Sequence, residues 1–453
     1  MKILRNRKRF LVPASMLMLC VFTAQPSMAQ EKVTITIDTG KAFQTIEGFG
    51  AFNTISQWRH ETAEKKYDLL ANDLGLSMLR FELPPTFQPA KDSDYNTRGE
   101  VFGGPDLQHN FQDVRELKKR GITKFIATIW SPPAWMKTLN KEGKGPTTSD
   151  GGSLREDRLK DFAVYCAAYC RVFRKETGVD LYALGIQNEP EFAEPYNSCK
   201  YNPVQLREAL RYVGRKFREE GISTKIYVPE ALPAQHHLPD FFNAINNDTE
   251  TRKYADVFAI HNYDADGMNV GGAGAREWQE FAKMANSVQP VKEVWMTETS
   301  GHANNWTGAM LLAANIYNAL EYGNLSAWLW WSLADNKSSE VYGLIIDGKP
   351  TGRYYASKQY YHFIRPGAVR VEAKSDQAAV LVLAFTHSAD NKLVSVLINK
   401  GETEKEILLP KLGSGNTINA YLSTDTLECA LQKKVRHNKV TLPAKSIMTI
   451  IWR

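Results

Sequence analysis

Two rhythms of apolar and polar residues run along this chain, and one replaces the other near residue 368. Before that point, short apolar runs recur at Thr45–Phe52, Ser77–Leu83, Lys124–Trp130, Leu181–Glu189, Lys225–Pro229, Val257–Tyr263, Glu293–Thr299 and Ala327–Ser332. Runs of this length, bounded by turn residues, predict strands buried on both faces, as in a parallel sheet. Between them lie segments with helical apolar periodicity: His60–Asn72, Phe111–Arg120, Asp157–Thr177, Pro203–Glu220, Leu238–Ile245, Ala275–Ala285 and Gly308–Tyr322, with Tyr354–Phe363 after the last run. Eight strand–helix units predict an α/β protein, a (β/α)8 TIM barrel. A doubly wound open sheet competes less well. Gly48-Phe49-Gly50 lacks the third glycine of a phosphate loop, and no helix follows its strand directly.

From Ala368 onward the helical period disappears. Val369–Ala373, Ala379–Thr386, Leu393–Asn399, Glu406–Leu409, Thr417–Leu422 and Ser446–Trp452 are short apolar runs split by Gly, Asn, Asp and Ser. That pattern predicts a small all-β sandwich. Val33-Thr34-Ile35-Thr36-Ile37 alternates in the same way ahead of the barrel, so the sandwich is expected to draw on both ends of the chain. The expected organisation is a leader at 1–29, a sandwich strand within 30–44, a catalytic barrel over 45–367 and a sandwich over 368–453, as a monomer.

The leader reads as a secretory signal peptide. Lys2, Arg5, Arg7, Lys8 and Arg9 precede the apolar stretch Phe10 to Ala24, and Ser27-Met28-Ala29 is a small-x-small cleavage site. Leu19 before Cys20 disfavours a lipid-anchored alternative, because a small residue belongs there. No later segment reaches the ~20 apolar residues of a membrane span. The expected location is secreted or periplasmic. Net charge is +6, but five positive charges lie in the leader, so the remainder is close to neutral. That excludes nucleic acid or an anionic membrane as a partner drawn by bulk charge. Cys166, Cys170, Cys199 and Cys429 are too few for a disulfide scaffold and read as buried thiols. No metal-ligand spacing is present, and the adjacent pair His236-His237 reads as surface loop.

The chemistry concentrates at strand ends. Glu189, in Gly185-Ile186-Gln187-Asn188-Glu189-Pro190, and Glu298, in Trp295-Met296-Thr297-Glu298, each close an apolar run. Two carboxyl groups at the carboxyl ends of barrel strands are what cleavage of a glycosidic bond requires: one attacks, the other donates a proton. Burying a carboxylate at such a place is costly without a role. Glu230, after Tyr227-Val228-Pro229, is the internal rival; Glu191 and Glu194 read as solvated loop charges. Asn188 is a candidate partner for a sugar hydroxyl. Arg80 would keep a neighbouring carboxylate ionised. His261 and Tyr263 end the sixth run, with the Tyr263 hydroxyl placed to hold the nucleophile. Trp130 and Trp135, in a loop stiffened by Pro132 and Pro133, are candidate stacking walls, as is Trp331. Alternation sends Trp328 and Trp330 to the opposite face from Trp331, so at least one of the three packs outside the barrel.

These residues resemble glycoside hydrolase family 30. The shared elements are Gly48-Phe49-Gly50, the loop Trp130-Ser131-Pro132-Pro133-Ala134-Trp135-Met136-Lys137, Gln187-Asn188-Glu189-Pro190, Trp295-Met296-Thr297-Glu298, His261 to Tyr263, Trp330-Trp331 and Phe363-Ile364-Arg365-Pro366-Gly367. The resemblance implies a retaining β-glycosidase without cofactor or metal, with Glu189 as acid/base and Glu298 as nucleophile. It is nearest in layout to the xylanase branch. Xylanases directed by glucuronate carry an Arg after the Trp-Trp strand, whereas Ser332 to Tyr342 here contains none, and Lys337 lacks the guanidinium fork. The expected activity is therefore a β-1,4-xylanase independent of glucuronate. The alternatives are β-1,6-glucan, β-1,6-galactan or a glucoside such as glucosylceramide, and, from another class, a non-catalytic polysaccharide-binding protein. An esterase reading lacks a Gly-x-Ser-x-Gly elbow.

Overall fold

A computed structural model describes residues 31–58, 61–88, 104–232, 238–263, 273–287, 290–336, 342–411, 418–432, 435 and 438–452. The leader, His60, the His236-His237 pair and Lys337 lie outside them.

Strand β1 (Glu31–Thr45) precedes a closed parallel barrel of β2 (Gly48–Phe52), β3 (Met78–Glu82), β4 (Lys124–Thr128), β5 (Ala183–Gly185), β6 (Lys225–Ala231), β7 (Val257–His261), β8 (Glu293–Glu298) and β9 (Ala327–Trp330). Register pairs such as Phe49 with Trp328 close β9 onto β2. Alternate residues face the lumen, where Met78, Ile126, Tyr227, Val257, Trp295 and Leu329 form a packed plug. Their neighbours Leu79, Phe125, Val228, Phe258, Met296, Trp328 and Trp330 point outward into the layer beneath the helices. Trp328 and Trp330 are both outer packing. Because both faces are covered, the strands read as continuous apolar runs.

The surrounding helices are α1 (Ala63–Asp68), α2 (Gly104–Lys119), α3 (Leu159–Thr177), α4 (Pro203–Glu219), α5 (Leu238–Asn246), α6 (Ala273–Asn286), α7 (Trp306–Glu321) and α8 (Gly352–Tyr361). The start of α4 shows how local sequence sets a boundary. Asn202 accepts from the Gln205 amide, Gln205 reciprocates, and Pro203 needs no partner in the first turn. Helix α1 passes into a π turn, Leu69–Leu74, and stops at Gly75, whose φ is +81°. A Cβ at Gly75 would meet the His362 backbone at 2.3 Å, so α8 approaches closely only because nothing is there.

Two boundaries differ from the sequence reading. Thr45 closes β1 rather than opening the barrel. The run expected over Leu181–Glu189 forms a ladder only over Ala183–Gly185. Past Gly185 the chain leaves the regular register, and Glu189 adopts a left-handed φ of +42°. A small sheet of β10 (Ala334–Asp335), β11 (Ile345–Ile346) and β12 (Lys349–Pro350) follows the barrel.

The sandwich comprises β13 (Val369–Ser375), β14 (Val380–His387), β15 (Lys392–Asn399), β16 (Lys405–Leu408), β17 (Ile418–Ser423), β18 (Ala430–Gln432), β19 (Lys439–Leu442) and β20 (Ser446–Trp452). Strand β1 links its layers, pairing parallel to β16 through Glu31 to Thr34 and antiparallel to β13 beyond them. Val380, Val382 and Ala384 face the sandwich interior, whereas Leu381, Leu383 and Phe385 belong to the core shared with the barrel. Two-sided burial explains the unbroken apolar run of β14. Polar contacts fix the junction: Trp306 Nε1 donates to the Lys445 carbonyl at 2.6 Å, and Thr449 Oγ1 to the Gln359 carbonyl at 2.7 Å. Among the described residues no helix is long and apolar enough to cross a membrane.

Candidate active site

Strand alternation carries polar groups onto the lumen face above the apolar plug. Met78 faces inward, so Arg80 does too, one layer higher; Leu329 is followed in the same way by Trp331. Arg80 is fully buried and donates to four acceptors: Nη1 to Glu298 Oε2 at 2.5 Å, Nη2 to Asn188 Oδ1 at 2.8 Å and to Glu230 Oε1 at 3.1 Å, and Nε to Thr128 Oγ1 at 3.1 Å. Its guanidinium also lies 4.7 Å from the Trp130 ring centre. Burial opposes its charge, but Glu230 and Glu298 more than compensate and hold the proton tighter than usual.

Glu298, at the end of β8, has both oxygens occupied. Oε2 accepts from Arg80, and Oε1 from the Tyr263 hydroxyl. Burial, then Glu298 and Glu189, push the Tyr263 phenol well above its ordinary pKa, so it stays a donor. These contacts fix the carboxylate rotamer. Glu189 is turned toward it by its left-handed backbone, and its Oε1 lies 2.9 Å from His261 Nδ1. One carboxylate oxygen of Glu189, one of Glu298 and a ring nitrogen of His261 all lie within 4.8 Å of one another.

That spacing would admit a metal ion, but the donor set does not fit one. Both Glu298 oxygens already accept hydrogen bonds, both His261 nitrogens face carboxylates, and Arg80 supplies the positive charge.

His261 is fully buried. Its Nε2 lies 3.3 Å from Glu230 Oε1. Burial favours the neutral ring, but Glu298, Glu189 and Glu230 outweigh it and push the pKa up to about 10. Carboxylates at both ring nitrogens favour the imidazolium.

A cleft of about 820 Å³ opens over the two glutamates, lined among others by Phe52, Glu82, Trp130, Asn188, Glu189, Tyr196, Tyr263, Glu298, Trp331 and Tyr342. Phe52, Trp130 and Trp331 form one aromatic wall, with ring centres 4.2–6.0 Å apart. Asn188 gives its carbonyl oxygen to Arg80, which leaves its amide N–H groups for a ligand.

Of the residues singled out by sequence, Asn188, Glu189, Glu298, Trp130, Tyr263 and Trp331 meet at this cleft. Arg80 and His261 lie behind the carboxylates instead of on the binding surface, because both are fully buried. Trp135 is not among the lining residues. Its loop tightens into a turn at Ala134–Met136, its indole donates to the Gln88 carbonyl at 3.2 Å, and Arg158 covers its ring. Glu191 is not a solvated loop charge. Its Oε1 accepts from the Leu232 amide at 2.7 Å, Oε2 is buried without a partner, and burial pushes its pKa up to about 7. Glu230 does not cap its strand but sits inside β6, fully buried, at a bulge with φ +58°.

Several lining groups were not foreseen. Glu82 had a signal, since alternation from Arg80 puts it on the same face; burial raises its pKa while Asn197 donates to it at 2.8 Å. Tyr196 and Tyr342 come from loops and had none.

Similarity to known proteins follows the same two-part layout. The model described as "Glycosyl hydrolase family 30 TIM-barrel domain" matches residues 93–342, and "Glycosyl hydrolase family 30 beta sandwich domain" matches residues 367–450. The Glucuronoxylanase XynC of Bacillus subtilis is 26% identical over 441 residues, covering 94% of this chain and 92% of that protein. Putative glucosylceramidase 3 of Caenorhabditis elegans is 23% identical over 470 residues, covering 93% and 82%. The crystal structure of a GH30 endoxylanase from Clostridium papyrosolvens C71 superposes with a TM-score of 0.74 at 25% identity, covering 93% of this chain and all of that one.

Proposed function

The chain belongs to glycoside hydrolase family 30, and we propose that it is an exported, retaining hydrolase of a β-linked polysaccharide, acting by double displacement on β-1,4-xylan without need of glucuronate side chains. The observation that carries the mechanism is the approach of Glu189 and Glu298 oxygens to within 4.8 Å. Retaining pairs stand about 5–5.5 Å apart, whereas inverting pairs need about 6.5–9.5 Å to admit a water.

In the first step a Glu298 oxygen bonds to the anomeric carbon as the glycosidic C–O bond breaks, and Glu189 passes its proton to the departing oxygen. In the second, Glu189 takes a proton from water, the water oxygen bonds to the anomeric carbon, and Glu298 leaves as a carboxylate. Tyr263 and Arg80 fix the attacking carboxylate, Asn188 offers an amide N–H to a sugar hydroxyl, and the Phe52–Trp130–Trp331 wall packs against the ring.

The name of the Bacillus subtilis relative supports a xylan backbone. Independence from glucuronate is supported by the lack of Arg in Ser332 to Tyr342 and by the cleft itself, where Glu82 and Glu194 are present and no Lys or Arg lines it among the described residues. A second reading keeps the mechanism and changes the substrate to a β-glucoside or a β-1,6-linked glucan or galactan; the similarity to a protein named a glucosylceramidase favours it. The leader sequence supports export, to the exterior or the periplasm.

The test is a product profile of the mature protein on unsubstituted xylan, glucuronoxylan, arabinoxylan, β-1,6-glucan and β-1,6-galactan. Xylo-oligosaccharides from unsubstituted xylan are expected. Products only from glucuronoxylan would overturn the independence from glucuronate, and products only from a β-1,6-linked polymer would overturn xylan.

A further inference from the structure

Three carboxylates, not two, meet in the buried centre, and the double-displacement reading above uses only Glu189 and Glu298. Glu230 is 0% exposed. Its Oε1 faces Arg80 Nη2 at 3.1 Å, His261 Nε2 at 3.3 Å and Thr128 Oγ1 at 3.5 Å, and it does not line the cleft. Substrate cannot reach it. An acid buried among donors, out of reach of the reacting atoms, needs a role other than chemistry on the sugar.

Counting charge supplies one. Arg80 and His261 are the two cations of the cluster. Double displacement starts with Glu298 as an anion and Glu189 carrying a proton, so a charged Glu230 would be the second anion. In the glycosyl-enzyme, Glu298 is a neutral ester, Glu189 has given its proton away, and Glu189 and Glu230 are the two anions. The sum is zero in both states. Without Glu230, His261 would face only the two groups that exchange charge during the reaction. A permanent anion on its far side keeps the ring protonated through both.

We propose that Glu230 is a positioning residue that holds His261 as an imidazolium, so that Nδ1–H remains a donor to Glu189 and the buried cluster keeps a constant charge while the proton leaves and returns. This rests on the double-displacement reading. The charged and titratable groups facing His261 and Glu230 are Arg80 from β3, Glu189 and Glu191 from the segment after β5, Tyr227 from β6 and Glu298 from β8. Tyr227 stays a neutral phenol, since burial and then Glu230 raise its pKa.

The test is a titration of the wild-type His261 ring by ¹⁵N NMR of the full-length mature protein, assigned with His261→Gln. An imidazolium that persists past pH 8 is expected. In Glu230→Gln the ring titration should move down by about 1–3 units, the loss of one close opposite charge, while Glu230→Asp restores it. A neutral His261 at pH 8 in the wild type, or an unchanged ring titration in Glu230→Gln, overturns the proposal. The wild-type titration needs no variant to fold. Failure of the double-displacement reading shows separately, as turnover without a glycosyl-enzyme or with inverted product, while the ring titration stands.

Discussion

A Cβ placed on Gly185 would lie 2.3 Å from Glu230 Oε2 and 2.6 Å from the Tyr227 ring. The last ladder residue of β5 is a glycine because the buried carboxylate of β6 occupies the space where a side chain would stand. Gly185→Ala should therefore push Glu230 and Tyr227 off their positions. Overpacking of this kind costs about 1–3 kcal/mol, and urea denaturation reads it directly. Turnover should fall as well, since Glu230 Oε1 contacts both Arg80 and His261. A variant as stable and active as the wild type would mean that the strand shifts freely there.

Removing Arg80 is expected to be the most damaging single change in the cluster. Arg80→Met leaves Glu230 and Glu298 buried without their shared cation, and breaking such a buried pair costs about 3–5 kcal/mol. Arg80→Lys keeps the charge but loses the fork that reaches Glu298, Asn188 and Glu230 together. It should recover much of the stability and little of the kcat. Thermal melts and steady-state kinetics on the pair of variants separate the two roles.

The two glutamates should fail differently. Glu298→Gln removes the proposed nucleophile and should abolish turnover of every substrate. Glu189→Gln should lower kcat on polysaccharide by about 10²–10⁴. It should spare kcat/KM for an aryl glycoside with a strongly acidic phenol, whose leaving oxygen needs no proton, while kcat on that substrate falls because the water of the second step has lost its base. Kinetics on the aryl glycoside and the polymer check the assignment, and the reverse pattern would exchange the roles.

How much of this was legible in the sequence depends on what carried the signal. Barrel strands buried on both faces announce themselves as apolar runs, and Glu189 and Glu298 stand out because an acid is unexpected at the end of one. Period two also gave the sides of Trp328, Trp330 and Trp331. Short-range backbone detail was not legible: the left-handed φ of Glu189 and Glu230 depends on partners contributed by other strands. The pairing of His261 with Glu230, 31 residues away, had no pattern at all. Trp135 misled because a tryptophan in a proline-stiffened loop looks the same whether its ring faces the cleft or the outer layer.

Glu191 gives a pH dependence of stability with a definite sign. Its pKa rises from the ordinary 4.5 to about 7 in the folded protein. Between those values the native state binds the extra proton, so the stabilising contribution is complete below the lower value and is lost as pH rises through the upper one. Glu191→Gln cannot ionise. The wild-type Tm should fall relative to this variant between pH 5 and pH 8, and melting curves at several pH values test it. A difference in Tm that is flat across that range would show that Glu191 titrates normally.

Tyr196 is 54% exposed and still lines the cleft beside Glu194. An aromatic ring left in water at the rim of a carbohydrate cleft gains most when a sugar ring covers it. It stands on a loop rather than at the paired carboxylates, so a stacking contact there would be equally good in the ground state and the transition state. Such binding lowers KM and leaves kcat alone. Tyr196→Ala should raise KM several-fold on polymer with little change in kcat, and Tyr196→Phe should behave like the wild type because the face, not the hydroxyl, makes the contact. If kcat falls in Tyr196→Ala while KM holds, the tyrosine acts on the reacting centre and not on the distant part of the chain.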